Sequence, residues 1–244
     1  MTVLCYHSVH PTWSSPLAVT PAELEEQCAW LARRRRVLPL TNAVAQMPAS
    51  GRLPRGAAAL TFDDGFAELQ EHALPILTRH RLPATVFLVA QTLTPGGQAV
   101  DWVDTPGDTP LRTLDIDQVR EMRDAGIDFE SHSWAHLDLT RLGYEECVRD
   151  LKDSRELLSD LLGRPVSMLA YPRGRHDGVV RAAAERAGYA HAFALPERAE
   201  SPSRYAIPRV GIYRGNSLTA VRVKSSRAYL PLRTGRVHQV LRER

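Results

Sequence analysis

Cysteine is scarce in this 244-residue chain, with three residues at Cys5, Cys28 and Cys147. They lie too far apart for a zinc ribbon and are odd in number, so a disulfide framework is disfavoured and buried free thiols are expected. No apolar run approaches the roughly 20 residues of a membrane-spanning helix. Lysine is nearly missing as well, Lys152 and Lys224 being the two, so arginine carries the positive charge. With 31 basic against 28 acidic residues the net charge is +3, too small an excess to argue for nucleic acid. The run Arg33-Arg34-Arg35-Arg36 falls at a predicted helix carboxyl end, where positive charge suits the macrodipole. No Gly-x-Ser-x-Gly elbow occurs, which disfavours a serine hydrolase. Neither a fixed repeat, an inter-domain linker nor a basic-then-apolar leader is visible. The expectation is one soluble, cytoplasmic domain over 1–244, with an Arg-rich helical tail from about 214.

What is present is alternation of short β-type runs and amphipathic helical runs. Thr20-Pro21-Ala22-Glu23 reads as a capping box with proline at the first helical position, opening a helix with Leu24, Cys28 and Leu31 on one face. Residues 57–62 read as a buried parallel strand, and 68–80 as a helix broken by Pro75. Further strands are expected at 85–89, 127–130, 166–170, 190–194 and 205–212. Asp115 or Asp117 caps a helix that stops near Gly126, 144–162 is the longest helix, and 177–187 is another. Residues 92–113 form the one long irregular segment, of a length that is usually functional. This order predicts parallel strands in a single α/β sheet or barrel.

Reactive side chains follow predicted strands in three places. Thr61-Phe62-Asp63-Asp64-Gly65 puts adjacent carboxylates at a strand end, where they point in different directions. In Ser131-His132-Ser133-Trp134-Ala135-His136 the histidines are four apart, which would bring them together on one face of a helical turn. Asp64, His132 and His136, read as lying at the ends of different parallel strands, make a facial set of three metal ligands. Third, Tyr171-Pro172-Arg173-Gly174 is a turn whose backbone amides could stabilise a developing oxyanion. His7, after the first strand, should reach the same face. The Arg173 side chain either pairs with an acid such as Asp177 or selects an anionic substrate.

With these residues in place, the chain resembles the NodB-homology polysaccharide deacetylases, carbohydrate esterase family four, over about residues 1–213. The resemblance implies a distorted (β/α) barrel of about seven parallel strands and an N-deacetylase of N-acetylated amino sugars. Asp63 would be the general base, while Asp64, His132 and His136 would hold a divalent metal, zinc first, with Co2+, Ni2+ or Mn2+ as alternatives. Leu4-Cys5-Tyr6-His7-Ser8 is similar to the branch with an amino-terminal Tyr-His pair, which makes His7 the candidate acid. Arg173 stands where the family usually has an aromatic residue. The family arginine that steadies the base is missing from its usual motif, and Arg209 in Ile207-Pro208-Arg209-Val210 is the candidate substitute. Tyr171, Pro172 and Arg173 would serve substrate and oxyanion. The expected partner is a small-molecule or oligosaccharide substrate, with no nucleic acid and no membrane. A soluble N-acetylated sugar or glycosylated natural-product intermediate ranks first, with wall or biofilm polysaccharide, or a non-catalytic carbohydrate-binding barrel, as alternatives.

Overall fold

The computed structural model describes residues 2–47, 56–105, 110–201 and 203–235. The chain starts with β1 (Thr2–Tyr6), then a small ribbon of β2 (Ser8–Val9) and β3 (Ala18–Val19). Helix α1 (Pro21–Arg34) carries the expected capping box: the Glu23 N–H donates to Thr20 Oγ1 at 3.1 Å, and the Thr20 N–H donates to Glu23 Oε2 at 2.7 Å. Its buried face is Leu24, Cys28 and Leu31, with Gln27 beside them. The short β4 (Arg36–Val37) and α2 (Leu40–Ala45) follow, too brief to leave a periodic signal.

Strand β5 (Ala57–Phe62) is buried throughout. After it a π-helical turn, Leu69–Ala73, passes directly into α3 (Leu74–His80). Pro75 has no N–H to donate to the carbonyl four residues back, so the α-helical ladder starts afresh there. Next come β6 (Ala84–Leu88), α4 (Ile116–Asp124), β7 (Asp128–Ser131) and α5 (Tyr144–Leu162). Of the two candidate caps, Asp115 is the one that accepts from the Gln118 N–H, at 2.8 Å. The remaining elements are β8 (Met168–Ala170), α6 (Gly178–Arg186), β9 (His191–Ala194), β10 (Ile207–Gly211), α7 (Leu218–Lys224) and α8 (Tyr229–Thr234).

Strands pair in the order β1-β10-β9-β8-β7-β6-β5, and β5 returns to β1 in register from Thr2↔Ala58 to Tyr6↔Phe62. The result is a closed barrel of seven parallel strands, with β4 hydrogen-bonded to the start of β5. Because every pair is parallel, all carboxyl ends meet at one rim. Side chains alternate along each strand. Val3, Ala59, Phe87, Met168, Phe193 and Ile207 form the inner cluster, while Leu4, Leu60, Val86, Phe129 and Val210 pack in the larger cluster that includes the helices. Residues 214–235 pack back onto the barrel. Arg214 donates to the carbonyls of Trp13 and Ala18, Val221 is buried, and Thr2 Oγ1 donates to the Ser225 carbonyl. No helix among the described residues is long and apolar enough to cross a membrane.

Candidate active site

The alternation that fills the barrel also aims its chemistry. Cys5 follows Val3, Asp63 follows Ala59 and Thr61, and Arg209 follows Ile207, each at a two-residue step, so all three point inward. There Arg209 grips Asp63 with both prongs, Nη1 to Oδ1 at 2.6 Å and Nη2 to Oδ2 at 2.7 Å. Both side chains are buried, and the guanidinium lies 5.3 Å from the centroid of the Phe87 ring. The Cys5 thiol donates to Asp63 Oδ2 at 3.3 Å. Burial alone would raise the Asp63 pKa, but the Arg209 charge and its hydrogen bonds prevail and hold the carboxyl well below its usual range.

Asp64 leaves the strand in the left-handed region, with φ 67°, and Gly65 repeats that conformation. A Cβ on Gly65 would stand 2.6 Å from Leu88 Cδ2, so the Asp-Asp-Gly turn needs its glycine. The turn sends the Asp64 carboxylate away from Arg209 and toward two imidazoles. Its Oδ1 lies 3.5 Å from His132 Nε2 and 3.3 Å from His136 Nε2, and no hydrogen-bond donor reaches it. Burial and the neighbouring Asp63 charge push Asp64 up to about 8.

The two histidines meet differently from the sequence expectation. They follow one strand, β7, rather than two, and no helical turn joins them. Ser133 and His136 take φ 70° and 55°, and this loop brings the rings to 5.0 Å between centroids. The loop is fixed by one distant and one local partner: the Trp134 N–H donates to Asp150 Oδ1 on α5, and the His136 N–H donates to Ser133 Oγ within the loop. His132 Nδ1 lies 2.8 Å from the Ala170 carbonyl. A carbonyl can only accept, so Nδ1 carries the proton and the Nε2 lone pair faces Asp64.

In the third motif the structure separates three residues that the sequence grouped. The Tyr171 N–H is used by the Phe193 carbonyl and its hydroxyl by the Tyr205 carbonyl, so Tyr171 is a buried strut. Pro172 is buried beneath the turn, and neither residue lines the cleft. Arg173 does, at φ 56°. The turn's own bonds run from the Gly174 N–H to Tyr171 and from the Arg175 N–H to Pro172, and neither uses the Arg173 N–H. Its side chain does not reach Asp177, which caps α6. Instead Nη2 donates to the Trp102 carbonyl at 2.9 Å and Nη1 lies 3.8 Å from Asp104.

His7 sits in a cleft of about 290 Å3 that it shares with Asp63, Asp64, His132, His136 and Trp102. A ring nitrogen of His7, Cys5 Sγ and an Asp63 oxygen all lie within 4.8 Å of one another. Burial pushes the His7 imidazole down to about 4, against the pull of Asp63. The rim thus gathers His7, Asp63, Asp64, His132, His136, Arg173 and Arg209 and leaves out Tyr171 and Pro172. Sequence reasoning missed Cys5, Trp102, Asp150 and Tyr213, whose ring stacks on His7 with centroids 6.4 Å apart. The first was readable from its two-residue step before His7. Trp102 carried no signal beyond its place in the long irregular segment.

The sequence profile described as polysaccharide deacetylase matches residues 50–192. YxkH of Bacillus subtilis, named as a candidate polysaccharide deacetylase, is 26% identical over 90% of this chain and 74% of its own. The poly-β-1,6-N-acetyl-D-glucosamine N-deacetylase of Staphylococcus epidermidis is 27% identical over 79% of this chain and 67% of its own. The structure of Streptococcus pyogenes deacetylase PplD in complex with acetate superposes with a TM-score of 0.76 at 22% identity, covering 93% of this chain and 98% of that one. With its barrel closed in the same way and more than half its length matched, the chain belongs to the polysaccharide deacetylase family.

Proposed function

We propose that the chain removes N-acetyl groups from a polymer of N-acetylglucosamine, releasing acetate and leaving free amines. The observation that carries this reading is the arrangement around Asp63: a carboxylate locked ionised by Arg209, beside an Asp-His-His cluster, in one cleft. The polymer takes precedence over the small soluble sugar that ranks first from sequence, because the Staphylococcus epidermidis relative is named for that polymer and matches most of this chain.

The residues fit a divalent metal. Asp64 Oδ1 is buried without a donor between two imidazole nitrogens, and one imidazole has its far nitrogen fixed by a backbone carbonyl. One carboxylate oxygen and two imidazole nitrogens suit Zn2+ and its first-row neighbours, and the three would hold it with positions to spare. Such an ion supplies Lewis acidity, polarising the amide carbonyl and acidifying water enough for a weak base to take its proton.

The chain's own groups then do the proton work. Asp63, ionised at every working pH, accepts a proton from the attacking water, and Arg209 keeps the carboxylate oriented through the step. The Arg173 N–H is the backbone donor available to the developing oxyanion. His7 is neutral at rest, so it is loaded during turnover, from Asp63 within 4.8 Å, and hands the proton to the departing amine. An amine leaves poorly unless protonated, which gives His7 its necessity.

The test is acetate release from poly-β-1,6-N-acetylglucosamine and from monomeric N-acetylglucosamine, each with added Zn2+ or with chelator. Turnover of the polymer should exceed that of the monomer by about tenfold or more in kcat/KM, since binding energy from remote sugars is available only in the polymer. Chelator should abolish it. No acetate from either sugar with Zn2+, Co2+, Ni2+ or Mn2+ would overturn the reading.

A further inference from the structure

The long segment after β6 is tied down over the site at several points. Gln98 Nε2 donates to the Ala135 carbonyl at 3.3 Å, and Trp13 Nε1 donates to the Thr105 carbonyl at 3.0 Å. Between these, Arg173 Nη2 holds the Trp102 carbonyl at 2.9 Å, while Nη1 reaches toward Asp104 at 3.8 Å. The segment in return lays the Trp102 indole over His136, with centroids 5.0 Å apart and planes at 23°. Trp102 is 9% exposed, and its indole N–H is buried without a hydrogen-bond partner.

The two histidines differ in what fixes their rings. His132 Nδ1 is held by the Ala170 carbonyl, whereas His136 Nδ1 is buried without a hydrogen-bond partner. The indole stacks on the face of His136, and the His132 ring meets it edge-on. Arg173 meanwhile occupies a left-handed backbone position, which is unfavourable for a non-glycine residue. Strain of this kind persists where the side chain is needed. The guanidinium is already engaged by the segment, which argues against the anionic-substrate role, one of the two alternatives left open by the sequence.

We propose that Arg173 is a positioning residue, a clasp that holds Trp102 against His136 and thereby orients one ligand of the metal. This rests on the reading of Asp64, His132 and His136 as ligands. The contact with exposed Asp104 contributes little, because a solvated ion pair is weak. The hydrogen bond to the Trp102 carbonyl carries the effect.

The experiment is Co2+ titration of the purified, metal-stripped protein, followed by the visible absorption of the bound ion, alongside kcat and KM on poly-β-1,6-N-acetylglucosamine. Arg173→Gln should weaken Co2+ binding by about tenfold, the lower end of effects from groups that orient a ligand, and should alter the absorption band. Its kcat should fall while KM stays near wild type. Trp102→Ala should do the same or more, Trp102→Phe should restore most of the loss, and the double variant Arg173→Gln, Trp102→Ala should be no worse than Trp102→Ala alone. Arg173→Lys, which keeps the charge and loses the fork, should fall between. Wild-type Co2+ affinity and spectrum in folded Arg173→Gln, or additive losses in the double variant, would overturn the clasp. Asp64→Ala separates the two levels. If it too binds Co2+ like wild type, the ligand reading fails and the clasp with it; if it alone loses the ion, only the clasp fails.

Discussion

Two buried carboxylates, Glu130 and Asp64, meet the interior in opposite ways. Glu130 on β7 has no exposure, and its oxygens accept from Arg164 Nη1 at 2.9 Å, the Ser167 N–H at 2.9 Å and the Met168 N–H at 2.7 Å. Asp64 is equally inaccessible, yet its Oδ1 receives nothing and faces two imidazole nitrogens. Burial raises the pKa of both, to about 7 for Glu130 despite its donors and to about 8 for Asp64. A buried charge without donors is strongly unfavourable, and nothing in the barrel's construction calls for one there. Glu130 ties β7 to the loop before β8. Asp64 is left short of protein partners, as the proposed role of metal ligand requires.

The comparison can be broken first at the neighbouring Asp63, the proposed base. Asp63→Asn should lower kcat by roughly 10²–10⁴-fold, the usual worth of a positioned proton acceptor, while bound Zn2+ and melting temperature stay as in wild type. The amide still offers Arg209 an oxygen, so an active variant would place the base elsewhere. Asp64→Ala should lose more than the roughly 10–100-fold in Zn2+ affinity that an outer partner contributes, yet its metal-free form should melt no lower than wild type. A clear fall in the metal-free melting temperature would mean that Asp64 supports the fold, and the contrast with Glu130 would collapse.

Glu130→Ala should show the reverse pattern. Two backbone N–H groups and Arg164 lose their acceptor, for a loss of about 3 kcal/mol in urea unfolding, with activity per folded molecule unchanged. The smallest effect is in pH. Glu130 holds its proton more tightly in the folded state, near 7, than its ordinary value of 4.5, so its contribution to stability falls as pH rises between those values. The difference in urea midpoint between about pH 5 and about pH 7.5 should therefore be smaller in Glu130→Gln than in wild type. Equal differences would show that Glu130 ionises normally.

Much of the site was legible because strand geometry is local. Asp63, Asp64 and His7 stood out because they directly follow strands, whereas Arg209 came from the likeness to the deacetylase family and Cys5 was passed over, although the two-residue step from Val3 aims it inward as the step from Ile207 aims Arg209. Helix signals were equally local: the Thr20–Glu23 box and the break at Pro75 each act within one turn. The two rings of the histidine motif do meet, but by a loop rather than the helical turn expected. That loop depends on Asp150 and Ala170, 16 and 38 residues away, and no spacing within the motif encodes those bonds. Tyr171 was grouped with the site because it shares a motif with Arg173, but the chain turns between them, Arg173 taking φ 56°, and the Tyr171 hydroxyl is directed to the Tyr205 carbonyl.

By itself the sequence determined the alternation of strands and helices, the inward rows of each strand, and which short motifs hold reactive groups. All of these follow from backbone periods of two and of 3.6 residues. Tertiary structure decided which motifs meet. Closure of β5 onto β1, with β10 on the other side of β1, brings Asp63 into the grip of an arginine 146 residues away, and a separate segment lays Trp102 on His136. Such pairings depend on the register of strands distant in the chain and on hydrogen bonds between loops, which become fixed only when the barrel closes.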